Sequence, residues 1–276
     1  METAINNYFL FNDEVKNITQ FDETFTQNGK CLYEVIRVID GVPLFLEKHL
    51  ERLENSAMIS NMKLPMSKNK VKDKILQLIK VNGNEIGNVK IVFNYILDEC
   101  SFYAYFVSHH YPSDKEYANG VDTVFYHGER NNPNAKIINL SFRENVDKLI
   151  RDKGVFEAIL VDRNGNITEG SKSNIFMVKN TSIYTSPKSE VLPGITRDII
   201  IEVANSLGYT VLEKKINYKE MVKMDGVFIS GTSPKVLPVS KIEEEELSSA
   251  NNEIIKNIHG AYDKYINEYV AKFNEA

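Results

Sequence analysis

The sequence predicts an α+β fold of two domains, with a small N-terminal α/β domain over residues 1–115 and a larger, β-rich C-terminal domain with peripheral helices over 116–276. Three observations predict it. Runs rich in β-branched and aromatic residues are interleaved with segments of helical spacing on both sides of residue 115. The stretch HHYPSDKEYANG, residues 109–120, is rich in turn-formers and poor in aliphatics, which places the interdomain connection there. A chain of 276 residues with 42% hydrophobic and 26% charged residues is large enough for one big domain or two moderate ones.

In chain order, CLYEVIRVI (31–39), the turn Asp40-Gly41 and the apolar run from Val42 to Leu46 read as a hairpin. Leu50, Leu53 and Ala57 are spaced as one face of a helix from about Glu47, which sets His49 and Arg52 on neighbouring turns. Asn69 to Val81 repeats the helical pattern and ends at Asn82-Gly83-Asn84. VKIVFNYI (89–96) and FYAYFVS (102–108) are strands. Beyond the connection come strand VDTVFYH, the polar GERNNPN, Lys136, and a helix from Ser141 to Lys153 that stops at Gly154. FEAILVD, the turn 163–166 and NIFMVKN read as a second hairpin, with ITEGSKS on its returning limb and Glu169 on a strand. Gly194-Ile195-Thr196 opens a helix that ends at Gly208. Strand TVLEKKI, a short helix at 218–223, strands GVFISGTS and KVLPVSKI, an acidic turn and a C-terminal helix from about Ser248 complete the chain.

A formal charge of −5, with basic residues scattered among acidic ones, supplies no field for nucleic acid. No apolar run approaches membrane-spanning length, and the N-terminus METAINNYFLFNDE lacks a basic region followed by an apolar core. Cys31 and Cys100 form no metal-ligand or Cys-x-x-Cys pattern, so reduced thiols and a cytoplasmic setting are expected.

Lys136 follows Asn132-Pro133-Asn134-Ala135 at the start of an apolar segment, where partial desolvation lowers an amine's pKa and prepares it for covalent bonding to a carbonyl. Alone it is one of 33 basic residues, and a solvated surface lysine is the ordinary reading; Glu169 alone is equally plain. Gly194-Ile195-Thr196 at a helix start offers free N–H groups and a hydroxyl to a phosphate, Gly231-Thr232-Ser233 offers a second small loop, and Arg52 adds a charged donor. A capped helix, a tight turn and a surface arginine are the bland alternatives. An amine for an aldehyde, a carboxylate for a ring nitrogen and several anion donors together are what a pyridoxal phosphate site requires.

The segments KCLYEVIRVIDGVPLFLEKHLERLENSA, AKIINL, ITEGSKSNIF, LPGITRD and SGTSPKVLPV resemble, in order, the motifs of the class IV aminotransferases. This is the fold-type IV pyridoxal phosphate family of branched-chain aminotransferases, D-amino acid aminotransferases and aminodeoxychorismate lyases. The resemblance spans about residues 25–240 and implies a D-amino acid aminotransferase-like fold and a homodimer. It makes Lys136 the Schiff-base lysine and proton shuttle, and Glu169, 33 positions on, the partner of the pyridine nitrogen. Arg52, Ile195 (through its backbone), Thr196 and Thr232 with Gly231 become phosphate ligands. Tyr33 faces the substrate and Asn174 has a supporting role.

The resemblance implies amino transfer between an amino acid and a 2-keto acid. The Arg-Gly-rich segment that many relatives carry after the strand VKIVFNYI is absent: Tyr95-Ile96 stand where it would begin, which sets Tyr95 with Tyr33 at the substrate, and Lys90, His109 or His110 are the candidates to replace the missing arginine on the substrate carboxylate. GTSPKVLPV resembles the branched-chain version of its loop, placing an aliphatic donor ahead of a D-amino acid. The lyase and a cofactor-binding module without turnover are the alternatives.

Overall fold

Two sheets, one wholly antiparallel and one mixed, carry the fold in the computed structural model, which describes residues 3–83, 86–130 and 132–275. The chain divides into two units, Met1–His110 with Ala135–Ile138 and Ile266–Ala276, and Tyr111–Asn134 with Asn139–Tyr265.

In the first unit, β1 (Ala4–Phe11), β2 (Glu14–Asn17), β3 (Lys30–Ile39), β4 (Val42–Pro43), β5 (Gly87–Ile96) and β6 (Glu99–Val107) form a sheet in the order β2-β1-β6-β5-β3-β4. Two helices, α1 (Leu46–Ile59) and α2 (Lys68–Asn82), belong with it. Asp40 and Gly41 turn the β3–β4 hairpin with φ of 51° and 74°, the left-handed pair that an Asp-Gly turn supplies. The expected run to Leu46 shortens to two residues, because Phe45 takes a left-handed conformation (φ 53°) and Leu46 already begins α1. Phe45 gives no side-chain cap; the Leu46 N–H is accepted by the Tyr269 hydroxyl at 3.3 Å. Gly83 ends α2 with φ 61°; the expected continuation to Asn84 lies outside the described residues.

Alternation along β3 sorts its side chains. Leu32, Ile36 and Val38 join Leu50, Leu53, Ile75 and Leu78 of the two helices in one core, while Cys31 and Tyr33 join Val92, Tyr105, Phe9 and Phe25 on the other face. β1 escapes sequence reading because its register against β6 shifts between Ile5 and Leu10, with Asn6 at φ 74°, so no clean alternation is written there.

The second unit begins with α3 (Asp114–Asn119) and β7 (Val121–His127), followed by α4 (Leu140–Lys153), β8 (Glu157–Val161), β9 (Ile167–Gly170), β10 (Asn174–Lys179) and β11 (Ser182–Thr185). Next come α5 (Ile195–Ser206), β12 (Thr210–Glu213), β13 (Gly226–Gly231), β14 (Lys235–Ile242), β15 (Glu245–Glu246) and α6 (Glu253–Glu275). The sheet order is β12-β11-β10-β13-β14-β7-β8-β9, with β15 beside β14. Of its three parallel pairs, β7–β8 and β11–β12 are joined through α4 and α5, the crossovers that parallel pairing demands, and β14–β7 brings together strands distant in sequence.

Three sequence expectations change. The turn-rich stretch 109–120 contains α3, started by a capping box in which Ser113 and Glu116 exchange hydrogen bonds. NIFMVKN does not return beside β8; β9 does, while β10 pairs with β11 and β13. TVLEKKI is a strand only over Thr210–Glu213. Among the described residues, no helix is long and apolar enough to cross a membrane.

Candidate functional site

In the first unit, Lys136 sits on a short segment held against the edge of β3. Its carbonyl accepts from the Tyr33 N–H at 3.1 Å, the Ile138 N–H donates to the Cys31 carbonyl at 3.1 Å, and Leu32 and Ile137 form an antiparallel bridge. On the α1 side, the Lys136 N–H donates to Ser56 Oγ at 3.2 Å. Its Nζ lies 4.8 Å from the centroid of the Tyr33 ring, and Lys90 Nζ lies 5.1 Å from the same centroid. Both distances fall in the range where an ammonium is attracted to a ring face. Tyr33 and Lys90 are buried. They share a face because Tyr33 pairs with Val92, two residues along β5 from Lys90.

Tyr95 projects to the opposite face of that sheet, packed on the core beneath α1 and α2, with its hydroxyl donating to the Lys63 carbonyl at 3.1 Å. Burial pushes that phenol's pKa up. The structure therefore groups Tyr33, Lys90 and Lys136 and leaves Tyr95 apart. His109 and His110 follow the end of β6 and are exposed.

Arg52 of α1 is committed to a buried carboxylate: Nε donates to Glu34 Oε1 at 2.8 Å and Nη2 to Oε2 at 2.6 Å. His49, one turn earlier, places Nδ1 2.8 Å from the same Oε2. Burial alone would raise the Glu34 carboxyl, but the Arg52 guanidinium and the His49 contact outweigh it and hold it at about 2. Burial lowers the His49 pKa against the pull of Glu34.

In the second unit, Glu169 of β9 is buried. Its Oε2 accepts from the Leu192 N–H at 3.0 Å, and Arg130 Nη1 lies 3.5 Å from Oε1. Asn174, at the start of β10, donates from Nδ2 to the Leu192 carbonyl at 3.1 Å. Leu192 is thus gripped at both polar groups just before α5. That helix opens at Gly194 without a side-chain cap, so its first N–H groups stay available to an anion. A Cβ on Gly194 would meet Asn174 Oδ1 at 1.9 Å, so only glycine admits this approach. Ile195 and Thr196 follow, both buried, and the Tyr262 hydroxyl lies 3.4 Å from Thr196 Oγ1.

Asn174 pairs with Ser230 of β13 and Phe176 with Phe228, whose rings stack at 4.9 Å. These four share the face opposite to Ile175, Met177, Val227 and Ile229. Ser230 is wholly buried, and its Oγ has no hydrogen-bond partner among the described residues. Gly231 closes β13, and Thr232 to Pro234 turn into β14. Glu169, Asn174 and the start of α5 are therefore brought together, with the Gly231-Thr232 turn following directly from the strand that carries Ser230.

Glu34, Arg130 and Ser230 were not foreseen. Glu34 had a readable signal: it shares strand parity with Leu32, Ile36 and Val38, and a charge on an apolar face demands a partner. Arg130 and Ser230 had none, since both are defined by contacts distant in sequence.

A family model described as Amino-transferase class IV matches residues 31–242. A D-alanine aminotransferase of Bacillus licheniformis is 28% identical over 261 residues, covering 89% of this chain and 91% of the relative. A putative branched-chain-amino-acid aminotransferase of Methanocaldococcus jannaschii is 27% identical over 272 residues, covering 94% of each. Among solved structures, the branched-chain aminotransferase of the thermophilic archaeon Thermoproteus uzoniensis with norvaline matches with a TM-score of 0.84 at 22% identity, over 97% of both chains, which shows a shared fold.

Proposed function

The chain belongs to the class IV aminotransferase family, and from that premise we propose that it uses pyridoxal 5'-phosphate to move an amino group between an aliphatic, branched-chain-type amino acid and a 2-keto acid. The observation that carries this reading is the span of the match: residues 31–242 contain the lysine, the carboxylate and the anion-donor segments that such a cofactor needs. The donor set of the second unit fits that group. A buried carboxylate suits a protonated ring nitrogen, while an uncapped helix start and the buried Ser230 hydroxyl, without a partner among the described residues, suit a phosphate.

When bound, pyridoxal phosphate supplies an aldehyde for the substrate's amine and a cationic ring that draws electrons from the substrate's α-carbon. Glu169 would hold the proton on the ring nitrogen, because a neighbouring negative charge favours the cationic form. Lys136 Nζ would take up the substrate's α-proton and serve as the proton carrier beside the bound group, general acid–base work worth roughly 10²–10⁴-fold in rate. In the second unit, the N–H groups at Ile195 and Thr196, the hydroxyls of Thr196 and Thr232 and the Gly231 turn would hold the phosphate; Arg52, which the resemblance adds to this set, is engaged by Glu34 in the first unit. Asn174 supports Leu192, and Tyr33 and Lys90 receive the substrate. A cytoplasmic homodimer is the proposed setting; the buried, unbridged Cys31 supports a reducing compartment.

A second reading, transamination of D-amino acids, is favoured by the relative from Bacillus licheniformis, named a D-alanine aminotransferase. Keto acid release from a panel of L- and D-amino acids, with pyruvate release from aminodeoxychorismate alongside, separates the readings. Activity confined to the last assay would replace transaminase with lyase. A purified chain whose visible band disappears in Lys136→Ala supports the lysine's role; a colourless chain that pyridoxal phosphate does not colour sinks the proposal.

A further inference from the structure

We infer that α6 positions the two phosphate-holding elements of the second unit, through the neighbouring residues Tyr262 and Asp263. This rests on the proposal that the start of α5 and the β13–β14 turn hold the phosphate. Consecutive residues on a helix project about 100° apart, so two adjacent side chains reach different elements. Tyr262, 3% exposed, points its hydroxyl at Thr196 Oγ1, 3.4 Å away in the first turn of α5. A threonine hydroxyl has one hydrogen and two lone pairs. With Tyr262 donating to one lone pair, the Thr196 hydrogen is left to be donated to an acceptor, as a phosphate oxygen requires.

Asp263 reaches the other element. Its Oδ1 accepts from Lys235 Nζ at 2.7 Å, and its Oδ2 lies 3.3 Å from His259 Nε2. Lys235 closes the turn opposite Gly231 and has φ of 53°, a left-handed conformation that a residue with a Cβ adopts under strain. One residue earlier, the Pro234 carbonyl accepts from the Tyr117 hydroxyl at 3.1 Å, and the Tyr117 ring lies 4.9 Å from that of His259. The turn is thus held from its C-terminal end, and Asp263 fixes the side chain of the residue whose backbone is strained. Tyr262 and Asp263 are positioning residues: neither is assigned a contact with cofactor or substrate.

The test titrates the full chain with pyridoxal 5'-phosphate and, in parallel, with pyridoxal, which lacks the phosphate, following visible absorbance. Tyr262→Phe and Asp263→Asn are each expected to weaken pyridoxal phosphate binding about five-fold, the size of one hydrogen bond, and to leave pyridoxal binding unchanged. Adding Lys235→Gly to Asp263→Asn is expected to restore affinity, because glycine holds a left-handed backbone without help. Unchanged pyridoxal phosphate affinity in both single variants, equal losses for the two ligands, or no recovery in the double variant overturns the inference. If Asp263→Asn does not fold, Tyr262→Phe alone decides it. A wild-type chain that fails to bind pyridoxal phosphate overturns the proposed function and, with it, this inference, whereas wild-type binding with unaltered variants overturns the inference alone.

Discussion

Glu34 takes two hydrogen bonds from Arg52, at 2.8 and 2.6 Å, with no part of the glutamate exposed to water. Such a pair offsets its desolvation only while both partners are present. Glu34→Ala leaves a buried guanidinium facing an empty space and is expected to cost about 3–5 kcal/mol. The paired change Glu34→Leu with Arg52→Met removes both charges and is expected to cost much less. Urea unfolding midpoints measure both, and equal losses in the two variants would contradict this account of the pair.

Acid should reach the same pair in a defined window. The Glu34 carboxyl is held at about 2 in the folded chain against an ordinary 4.5, so the folded state binds its proton less readily than the unfolded chain. Its contribution is therefore complete above about pH 4.5 and is lost as pH falls toward 2. His49 works in the same direction from about pH 6.5 downward, since burial disfavours its protonation. Thermal melts between about pH 6 and pH 3 should show a steeper loss in wild type than in Glu34→Gln, and parallel curves would contradict the assignment.

These contacts also mark what a sequence can show. Asp40-Gly41 wrote its own turn, and α1 and α2 were legible because Leu50, Leu53 and Ala57, and Ile75, Leu78 and Ile79, recur at helical spacing against a packed face. Glycines at 83 and 154 marked two of the ends. By sequence the residues from Ala135 to Ile138 fall inside the second domain, yet they pair with β3, a contact about a hundred positions away that no local pattern encodes. Leu192 is the same case: its role comes from Glu169 and Asn174 gripping its peptide groups, and an apolar residue in a loop gives no sign of that. Local periodicity writes elements, while long-range pairing decides which of them share a site.

Gly194 and Gly260 should respond in opposite ways to the same substitution. A Cβ on Gly194 would lie 1.9 Å from Asn174 Oδ1, so Gly194→Ala must displace Asn174 and release the Leu192 carbonyl. The expected loss is about 1–3 kcal/mol, the usual cost of overpacking. Gly260 lies within α6 with nothing near its Cβ position, so Gly260→Ala should gain about 0.5–1 kcal/mol from helix propensity. Thermal midpoints moving in the same direction for both variants would show that neither effect is local.

Lys90 and Tyr95, both proposed from sequence to touch substrate, lie five residues apart on β5 and face opposite ways. That parity makes the pair a test of where the substrate sits. Lys90 shares a face with Tyr33, whose ring also carries Lys136 Nζ at 4.8 Å, so a carboxylate bound there meets a buried ammonium. Charge-assisted hydrogen bonds contribute about 1.5–3 kcal/mol, which sets an expected rise in KM of roughly 10–100-fold for Lys90→Met. Because a carboxylate anchor binds ground and transition states alike, kcat should change far less. Tyr95→Phe removes only the hydroxyl bonded to the Lys63 carbonyl and is expected to leave KM unchanged. Steady-state kinetics with one amino acid decide the matter: a KM that moves with Tyr95 but not with Lys90 would place the substrate on the other face of the sheet.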